Sequence, residues 1–254
     1  ALEADGRTGD FLIAKAAYAL RSLGTRQATI TGLDSFPAPF TSVTGKFVVQ
    51  VRRSSDDTFK SFTADEVTDG TLLAFVGTGG SDNGFVRVWY DQSVTTEAGD
   101  TATGNHAVQI TAAEQPKIVN AGALLTAGVT FDGGDSLSVS GEPVITASSS
   151  GVYSAFSVQT VATGTEAGYL YGNASASNGT SLYARAAEFT VTNKNSDSLD
   201  KISRSSGQNL LSAVYNNGDA GLLVNGAGTM TDTGTYNFSA GSSDFIIGNR
   251  NGGT

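Results

Sequence analysis

Cysteine is missing from this 254-residue chain, and histidine, tryptophan and methionine occur once each. Without cysteine the chain can form neither a disulfide scaffold nor a thiolate metal site. The single histidine, His106, has no second imidazole with which to hold a metal, and no G-x-S-x-G motif supplies a serine nucleophile. We therefore expect His106 to be an ordinary loop residue, and the sequence predicts no cofactor.

Long apolar runs and positive charge are also scarce. No run approaches the ~20 residues that a helix needs to span a bilayer, which argues against membrane insertion. Lys and Arg number 15 against 24 Asp and Glu, so the formal charge is −9. Such a surface repels phosphate backbones, which argues against a nucleic-acid partner. Abundant Gly, Ser, Thr, Ala and Asn are typical of extracellular and virion β-proteins.

The clearest helical pattern lies near the start, in GDFLIAKAAYALRSLGT. Asp10 can cap this helix, and Gly24 can end it in a left-handed conformation. Its apolar side chains recur at helical spacing, at Phe11, Ile13, Ala16, Ala17, Leu20 and Leu23. A second, short helix is predicted over residues 69–77, in DGTLLAFVG.

Two prolines shape the expected domain organisation. Pro37 and Pro39 predict an irregular loop, because proline cannot donate to a sheet ladder. We expect residues 1–45 to be a helix and a proline-containing loop that pack on a sandwich formed by residues 46–254. The whole chain would then be one domain.

The remaining segments favour strands. KFVVQVRRSS alternates with Phe47, Val49 and Val51 on one face, and GFVRVWYDQ alternates in the same way. Later segments of this kind are GVTFDGGDSLSVS, GVYSAFSVQTVA, AGYLYGN, SLYARAAEFTVTN, NLLSAVYNNGDAGLLVNGAG and SDFIIGN. Asn217 and Gly218 form the tip of a hairpin. Many short strands predict an all-β fold, a two-sheet antiparallel jelly-roll or concanavalin-like sandwich with a short N-terminal helix.

Several segments resemble one protein family, in the same order. These segments are AAYALRSL, VQVRRSSDD, LLAFVG, FVRVWYDQS, GNHAVQ, QPKIVNAG and FDGGDSLSV, within residues 14–139. They look like the N-terminal part of the α-L-arabinofuranosidase B catalytic domain, and still more like its non-enzymatic relatives in bacterial and phage virion proteins. The later segments, including FIIGN, resemble the closing strands of concanavalin-A-like lectins and glucanases. The resemblance implies glycoside hydrolysis or sugar binding.

The residues at the implied catalytic positions argue against hydrolysis. Retaining hydrolysis of a glycosidic bond needs two carboxyl groups about 5 Å apart. In the family the acid follows the final I-(I/L)-G strand, where this chain has Asn249, Arg250 and Asn251. Glu188 is the nearest candidate for the nucleophile, but it would be a carboxylate without its partner. We therefore expect the chain not to be an enzyme.

Two loops, YGNASASNGTSLY and VYNNGD, have the composition of a sugar-binding site. Amide and hydroxyl groups can pair with sugar hydroxyls above an aromatic face, although ordinary sandwich turns have the same composition. Together with the single tryptophan, the candidate sugar-binding residues are Trp89, Tyr171, Asn173, Asn178, Tyr183, Tyr215 and Asn217. For Trp89 we favour a structural interpretation. It would fill one face of its strand while Asp91 accepts backbone N–H bonds at the corner.

Two acidic stretches have oxygen ligands of the kind that Ca²⁺ prefers. One is DGGD, with Asp132 and Asp135, and the other is RSSDD, with Asp56 and Asp57. Neither has the spacing of an EF-hand, so we favour turn formation and keep calcium as the alternative. We also expect one of the two adjacent arginines at RSSDD to pair with a carboxylate near the sheet edge.

A separate prediction concerns the final strand of the sandwich. A lectin-type sandwich continues after FIIGN with one more strand, whereas this sequence stops at Gly253 and Thr254. An uncovered edge leaves backbone groups unpaired. We expect the missing strand to come from further residues, from the N-terminal segment or from a neighbouring subunit.

These features predict a non-enzymatic structural or adhesive module of a virion, such as a phage capsid-decoration, fibre or tail protein, with weak glycan binding. Its expected partners are like subunits in a homo-oligomer, other virion proteins and a host cell-surface glycan. Its expected location is the phage particle or the outside of a cell. Two alternatives stay open, a glycoside hydrolase of the arabinofuranosidase type and a secreted bacterial surface or adhesion domain.

Overall fold

Two antiparallel sheets contribute to one main hydrophobic core. A computed structural model of the protein describes residues 17–22, 47–92, 105–139, 152–160, 168–173, 180–184, 187–193, 196–204, 206–216, 219–228, 230–231 and 245–248. Within these ranges the larger sheet has twelve strands and the smaller sheet has four. The all-β, two-sheet antiparallel sandwich that the sequence predicts is confirmed.

The strand order separates early and late parts of the chain. The elements are β1 Phe47–Arg53, β2 Phe59–Thr63, α1 Ala64–Thr68, α2 Thr71–Val76, β3 Gly84–Trp89, β4 Ala107–Val108, a 3₁₀ helix Ala112–Glu114, β5 Lys117–Asn120, β6 Ala123–Leu124, β7 Ser136–Val139, β8 Val152–Thr160, β9 Gly168–Asn173, β10 Thr180–Ala184, β11 Glu188–Asn193, β12 Ser196–Ser203, β13 Gln208–Asn216, β14 Asp219–Val224, β15 Met230–Thr231 and β16 Phe245–Gly248. The larger sheet has the order β12-β11-β10-β9-β16-β7-β4-β3-β1-β2, with β5 pairing β3 and β6. The smaller sheet has the order β15-β14-β13-β8.

The side-chain alternation of β1 is interrupted by a β-bulge. Val49 and Val51 lie in the main core, as the sequence predicts. The register between β1 and β2 shifts between Phe47 and Val49, however. Phe47 instead packs in a second, small cluster with Val88 and Tyr90. The predicted common face for Phe47, Val49 and Val51 is therefore wrong, because one extra residue in a strand reverses the alternation beyond it.

Two short helices follow β2. The helix predicted over residues 69–77 is confirmed as α2, which buries Leu72 and Val76. Gly84 of β3 permits this close packing, since a Cβ atom there would lie 2.9 Å from the Val76 side chain. Helix α1 was not predicted, although its capping box follows the T-x-x-E pattern in the sequence. No helix in the described part of the chain is long and apolar enough to cross a membrane.

Residues 17–22 form neither helix nor strand, so the predicted N-terminal helix does not extend through them. The backbone N–H of Gln92 donates to the Ala17 carbonyl, and its side-chain amide donates to the Ala19 carbonyl, both at 2.7 Å. A helix would use those carbonyls for amides four residues further along the chain. Tyr18 packs against the main core. The rest of the predicted helix and the proline-containing loop lie outside the described residues.

The smaller sheet is built around a hairpin of β13 and β14. Asn216 pairs with Asp219, so two residues connect the strands, as the sequence predicts. Leu211 and Leu222 point into the main core, where each is almost completely buried. In the larger sheet, β16 lies between β7 and β9 and is paired on both sides. The expectation that a further strand completes the sandwich stays a prediction.

Candidate functional site

The end of β3 forms a hydrogen-bonded corner, which we call the Asp91 corner (Asp91, Gln92, His106 and the segments that they bind). The Asp91 carboxylate accepts the backbone N–H of Ala17 at 2.8 Å and that of Asn105 at 3.1 Å. These two segments lie 74 and 14 residues away from Asp91 in the sequence. The predicted role of Asp91, as an acceptor of backbone N–H bonds at a corner, is confirmed.

Tyr18 and Trp89 pack together beside this corner. Their ring centroids are 5.9 Å apart, and the Tyr18 hydroxyl donates to the Asn105 carbonyl. Burial, with a smaller contribution from the charge of Asp91, raises the pKa of Tyr18 far above its ordinary value, so the hydroxyl keeps its proton. Trp89 packs against the main core. Its buried indole N–H has no hydrogen-bond partner among the described residues. These contacts support the structural interpretation of Trp89.

His106 is buried, although the sequence predicts an ordinary loop histidine. Its Nδ1 accepts the backbone N–H of Asp91 at 3.0 Å, and its ring meets the edge of Tyr90 with centroids 5.2 Å apart. Burial lowers the pKa of His106 to about 4, against the raising effect of Asp91. The ring is therefore neutral at pH 7 and carries its proton on Nε2. Since Nδ1 already accepts a hydrogen bond, the imidazole has no lone pair available to act as a general base.

A chain of polar side chains crosses β1, β2 and β3 beside the corner. Arg87 donates to Gln50 at 3.1 Å, Gln50 donates to Ser61 at 3.3 Å, and the Ser61 and Tyr90 hydroxyls are 2.8 Å apart. All four residues are buried. The Arg87 guanidinium also lies over the Phe59 ring, 4.3 Å from its centroid. The sequence does not predict this network, and the available signal was one polar residue between apolar neighbours in two of the strands, Gln50 in β1 and Arg87 in β3.

A register shift explains how Arg87 enters that network. Gln50 pairs with Val88 and Val51 pairs with Val86, so Arg87 is an extra residue in β3. Such a bulge re-aims side chains without breaking the sheet. Burial lowers the pKa of the Arg87 guanidinium, and burial raises the pKa of the Tyr90 hydroxyl. The raised pKa keeps the Tyr90 hydroxyl protonated, and arginine side chains do not lose their proton in proteins, so the network is best suited to hold three strands in one arrangement.

The carboxylates of RSSDD are paired with the two arginines that precede them. Arg52 contacts Asp57 and Arg53 contacts Asp56, each at 2.6 Å. The expectation that one arginine pairs with a carboxylate is met twice. The Arg53 guanidinium, followed by Thr58, lowers the pKa of Asp56 well below its ordinary value. Guanidinium groups therefore occupy the oxygens that we considered as calcium ligands.

The DGGD segment forms a self-contained turn. Asp135 accepts the backbone N–H of Asp132 at 3.0 Å, and Asp132 accepts that of Gly134 at 2.9 Å. Burial raises the pKa of Asp135. The turn packs against Gly248 at the end of β16, where φ is +89° and a Cβ atom would lie 2.4 Å from the Phe131 ring. These bonds support turn formation, and the described residues contain no group of three His, Asp or Glu side chains that could hold a metal.

The candidate sugar-binding residues that the structure describes lie on both sheets. The prediction that Tyr171 binds sugar is wrong. Its side chain is only 7% exposed and packs in the main core, with its ring 5.9 Å from that of Phe245. Its face is therefore not open to a sugar. Asn173 lies in β9 and Tyr183 in β10 of the larger sheet, whereas Tyr215 lies in β13 of the smaller sheet.

For those three residues the structure describes the backbone alone. The other two candidates, Asn178 and Asn217, lie outside the described residues, as do Asn249, Arg250 and Asn251. The sugar-binding role of these positions stays a prediction.

Glu188 lies on β11, far from the polar network. The order of the sheet places β11 six strand spacings from β3, or roughly 29 Å at about 4.8 Å per spacing. The strand β16, which ends at the implied acid position, is three spacings from β11, or about 14 Å. Two carboxyl groups of a retaining glycosidase stand about 5 Å apart. Within the described sheet, β11 is therefore adjacent to neither β3 nor β16.

The smaller sheet exposes an apolar surface on the side away from the core. Phe156 and Val158 of β8 and Leu210 of β13 are 70%, 62% and 45% exposed. Leu210 pairs directly with Val158, so these side chains share one face. We call this surface the outer face (Phe156, Val158, Leu210 and the outward residues beside them). It holds three of the four large apolar side chains that are exposed in the described part of the chain.

Comparison with solved structures finds arabinofuranosidases. One match is a GH54 α-L-arabinofuranosidase soaked with a cyclic sulfate inhibitor, with a TM-score of 0.57 and 15% sequence identity. Another is an arabinofuranosidase complexed with arabinofuranosyl-α-1,2-xylobiose, with a TM-score of 0.55 and 16% identity. Each match covers 93% of this chain and 55% of the other chain. No protein-family model and no curated protein matches the chain.

This likeness concerns the path of the backbone. At 15–16% identity it shows the fold alone, and this chain spans little more than half the length of the proteins that it matches. Function has to be argued from particular sites, because one fold hosts many activities. In fold, the chain is a concanavalin-like β-sandwich similar to that of GH54 α-L-arabinofuranosidases.

Proposed function

We propose that the chain is a non-enzymatic module that works by contact, as a structural or adhesive subunit of a virion or a bacterial surface. The observation that carries the proposal is the outer face, where Phe156, Val158 and Leu210 are exposed together. Contiguous exposed apolar side chains commonly mark surfaces that bind other molecules.

The chemistry of the described titratable groups supports the proposal that the module is not an enzyme. His106 is neutral at pH 7, and its Nδ1 already accepts a backbone N–H. Asp91 accepts two backbone N–H groups, and Asp56 is paired with Arg53. These groups act as structural acceptors rather than as proton carriers. Glu188 is about 14 Å, by strand spacing, from the end of the β16 strand.

Composition and family resemblance support a virion or cell-surface location. The acidic surface, rich in hydroxyl and amide groups, is typical of extracellular and virion β-proteins. A phage particle is the location that we favour, and a secreted bacterial surface domain is the alternative. The neighbouring genes separate these locations, because tail and capsid genes would indicate a phage and export genes would indicate a secreted protein.

A glycoside hydrolase is the second candidate, favoured by the fold likeness to α-L-arabinofuranosidases. The test is to incubate the purified chain and its Glu188→Gln variant with 4-nitrophenyl α-L-arabinofuranoside. We expect neither protein to release nitrophenol above the buffer rate. Release by the wild type that is lost in the variant would establish the hydrolase and overturn our proposal.

Adhesion to glycans is tested separately from catalysis. A glycan array probed with the labelled chain would identify any sugar that the module holds. Binding to a defined class of glycan, without its hydrolysis, would indicate an adhesive role. A blank array would leave assembly with other proteins as the role of the module.

A further inference from the structure

We propose that the outer face is the interface of a homodimer, in which the same face of a second copy packs against it about a twofold axis. This inference rests on the proposed function, since it names the contact partner and the surface that the module uses. The geometry would be that of two sheets stacked face to face, about 10 Å apart. In such an isologous interface the same patch serves both subunits.

The sheet register gathers the exposed apolar groups into one patch. Val158 pairs with Leu210, and Phe156 pairs with Ser212 on the neighbouring strand. Ser212 in turn pairs with Leu223 of β14, which brings a third strand into the same surface. The patch is therefore continuous across β8, β13 and β14.

The other side of these strands is already occupied by the core. Leu211 and Ala213, which alternate with Leu210 and Ser212 along β13, are 0% exposed. An antiparallel sheet with one face in water normally carries polar side chains on that face, whereas strands covered on both sides are apolar on both. The outer positions of β13 mix Leu210 and Val214 with polar residues such as Ser212, and this apolar content indicates that the outer face is covered in the working protein.

Charge favours a second copy as the partner that covers it. The chain has a formal charge of −9, so two copies repel each other over most of their surfaces. The strands β8 and β13 contain no charged residue in VYSAFSVQT and QNLLSAVYN. Like copies can meet on β8 and β13 without opposing like charges, and β14 adds one acidic residue, Asp219, at its first position. A basic or acidic partner would find no opposite charge on these two strands.

The size of the face suits a weak, reversible dimer. The four strands of the smaller sheet contain nine, nine, six and two residues, so at about 3.3 Å per residue and about 4.8 Å per strand the face measures roughly 410 Å². Burying it on both copies removes about 820 Å² from water, which is below the roughly 1,200 Å² of stable interfaces and in the range of weak, transient ones. We therefore expect monomer and dimer to exchange with concentration.

The test uses charge repulsion and its rescue. Phe156→Lys and Phe156→Glu would each place like charges opposite each other across the twofold interface. Sedimentation velocity, from low micromolar to submillimolar protein, should show a concentration-dependent dimer for the wild type and a monomer for each variant. Mixing the two variants should restore a dimer, because lysine on one copy then meets glutamate on the other.

A matched control tests whether the loss of the dimer is specific to the outer face or follows from a charge at any exposed apolar position. Ile110 is 61% exposed and lies outside the outer face. Ile110→Lys should dimerise like the wild type. The rescue on mixing also excludes misfolding as the cause of the monomeric state, since misfolded chains would not recover by mixing. The double variant Val158→Ser, Leu210→Ser should weaken the dimer without adding charge.

Each contrary result has a defined meaning. A wild type that stays monomeric over the whole concentration range would overturn the inference, as would a dimer that persists in both Phe156 variants. A monomeric wild type whose glycan binding is lost in both Phe156 variants would also overturn it, because the face would then hold a sugar. In all three cases the proposal of a non-enzymatic module survives. Arabinofuranoside hydrolysis would remove that proposal instead, whatever the oligomeric state.

Discussion

The Asp91 corner and the outer face depart from the usual distribution of residues in opposite ways. The corner buries charged and polar groups, and the outer face exposes apolar ones. Buried polar groups and exposed apolar patches are the informative exceptions in a folded protein. In the corner, each hydrogen bond to Asp91 ties a distant segment to the larger sheet. On the outer face, nothing in the described part of the chain packs over Phe156.

This difference separates the part of the molecule that fixes the path of the chain from the part that is available to partners. A buried polar network has one arrangement that satisfies its hydrogen bonds, so it specifies the path of the chain. An exposed apolar face makes no such demand on the monomer. Substitutions in the corner should therefore destabilise folding, whereas substitutions on the outer face should change association.

The largest effect is expected from Asp91→Ala. The change removes the acceptor of the Ala17 and Asn105 N–H groups. Hydrogen bonds to a charged group are each worth about 1.5–3 kcal/mol, so the loss of both should lower the free energy of unfolding by about 4 kcal/mol. Urea unfolding followed by circular dichroism measures the loss. Asp65→Ala, in the exposed first turn of α1, is the control and should cost less than about 1 kcal/mol. Equal losses would mean that the corner has no special role.

The second effect is a pH dependence that comes from His106. Its pKa is about 4 in the folded protein and about 6.5 in the unfolded chain. As the pH falls from 6.5 towards 4, the unfolded chain binds the proton first, so stability should fall by roughly 3 kcal/mol. Comparison of unfolding at pH 7 and pH 4 tests this.

His106→Gln isolates that contribution from the carboxylates. Glutamine can still accept the Asp91 N–H but does not titrate. The variant should be less stable than the wild type at pH 7, and the difference between the two proteins should shrink as the pH falls. A difference that is constant with pH would show that His106 is not the group responsible.

Ser61→Ala should have an intermediate effect. It removes the hydroxyl that joins Gln50 to Tyr90 within the buried network. We expect a loss of about 2 kcal/mol in the free energy of unfolding. Ser81→Ala, at an exposed position in the turn before β3, provides the comparison. If the two serine variants lose the same amount, the network is not a source of stability.

The smallest effect on folding is expected on the outer face. Leu210→Ala should change the free energy of unfolding of the dilute monomer by less than about 0.5 kcal/mol. Leu211→Ala, at the next residue of the same strand, should cost about 3 kcal/mol because Leu211 is completely buried. A large loss for Leu210→Ala in dilute solution would show that the monomer itself depends on the outer face.

Local patterns predicted much of the fold but little of its buried chemistry. The β13–β14 hairpin and α2 follow from short-range signals and are confirmed. SDSLDKIS was not predicted as a strand, and it forms β12 at the edge of the larger sheet. Its charged residues interrupt the apolar alternation that identifies strands. Pairing with β11, which is a tertiary contact, supplies the missing stability.

In the candidate site, too, local patterns predicted some contacts and missed those that depend on tertiary structure. The role of Asp91 could be predicted because turn aspartates commonly accept backbone N–H bonds. The burial of His106 could not, because it depends on Asp91 and Tyr90, which lie just beyond the end of β3 and distant in sequence. Tyr171 had the residue type of a sugar platform, but the register of β9 turns it into the core.

The amino-acid sequence by itself determined the class of fold, since the spacing of apolar residues and turn signals specifies many short strands and few helices. It also determined which residue types stand at the implied catalytic positions. Only the tertiary structure decided which faces of the strands are covered, because β-bulges at Val48 and Arg87 reverse the alternation. It likewise decided that polar groups distant in sequence meet in the Asp91 corner. A pattern along the chain carries no information on which distant segment will supply a hydrogen-bond partner.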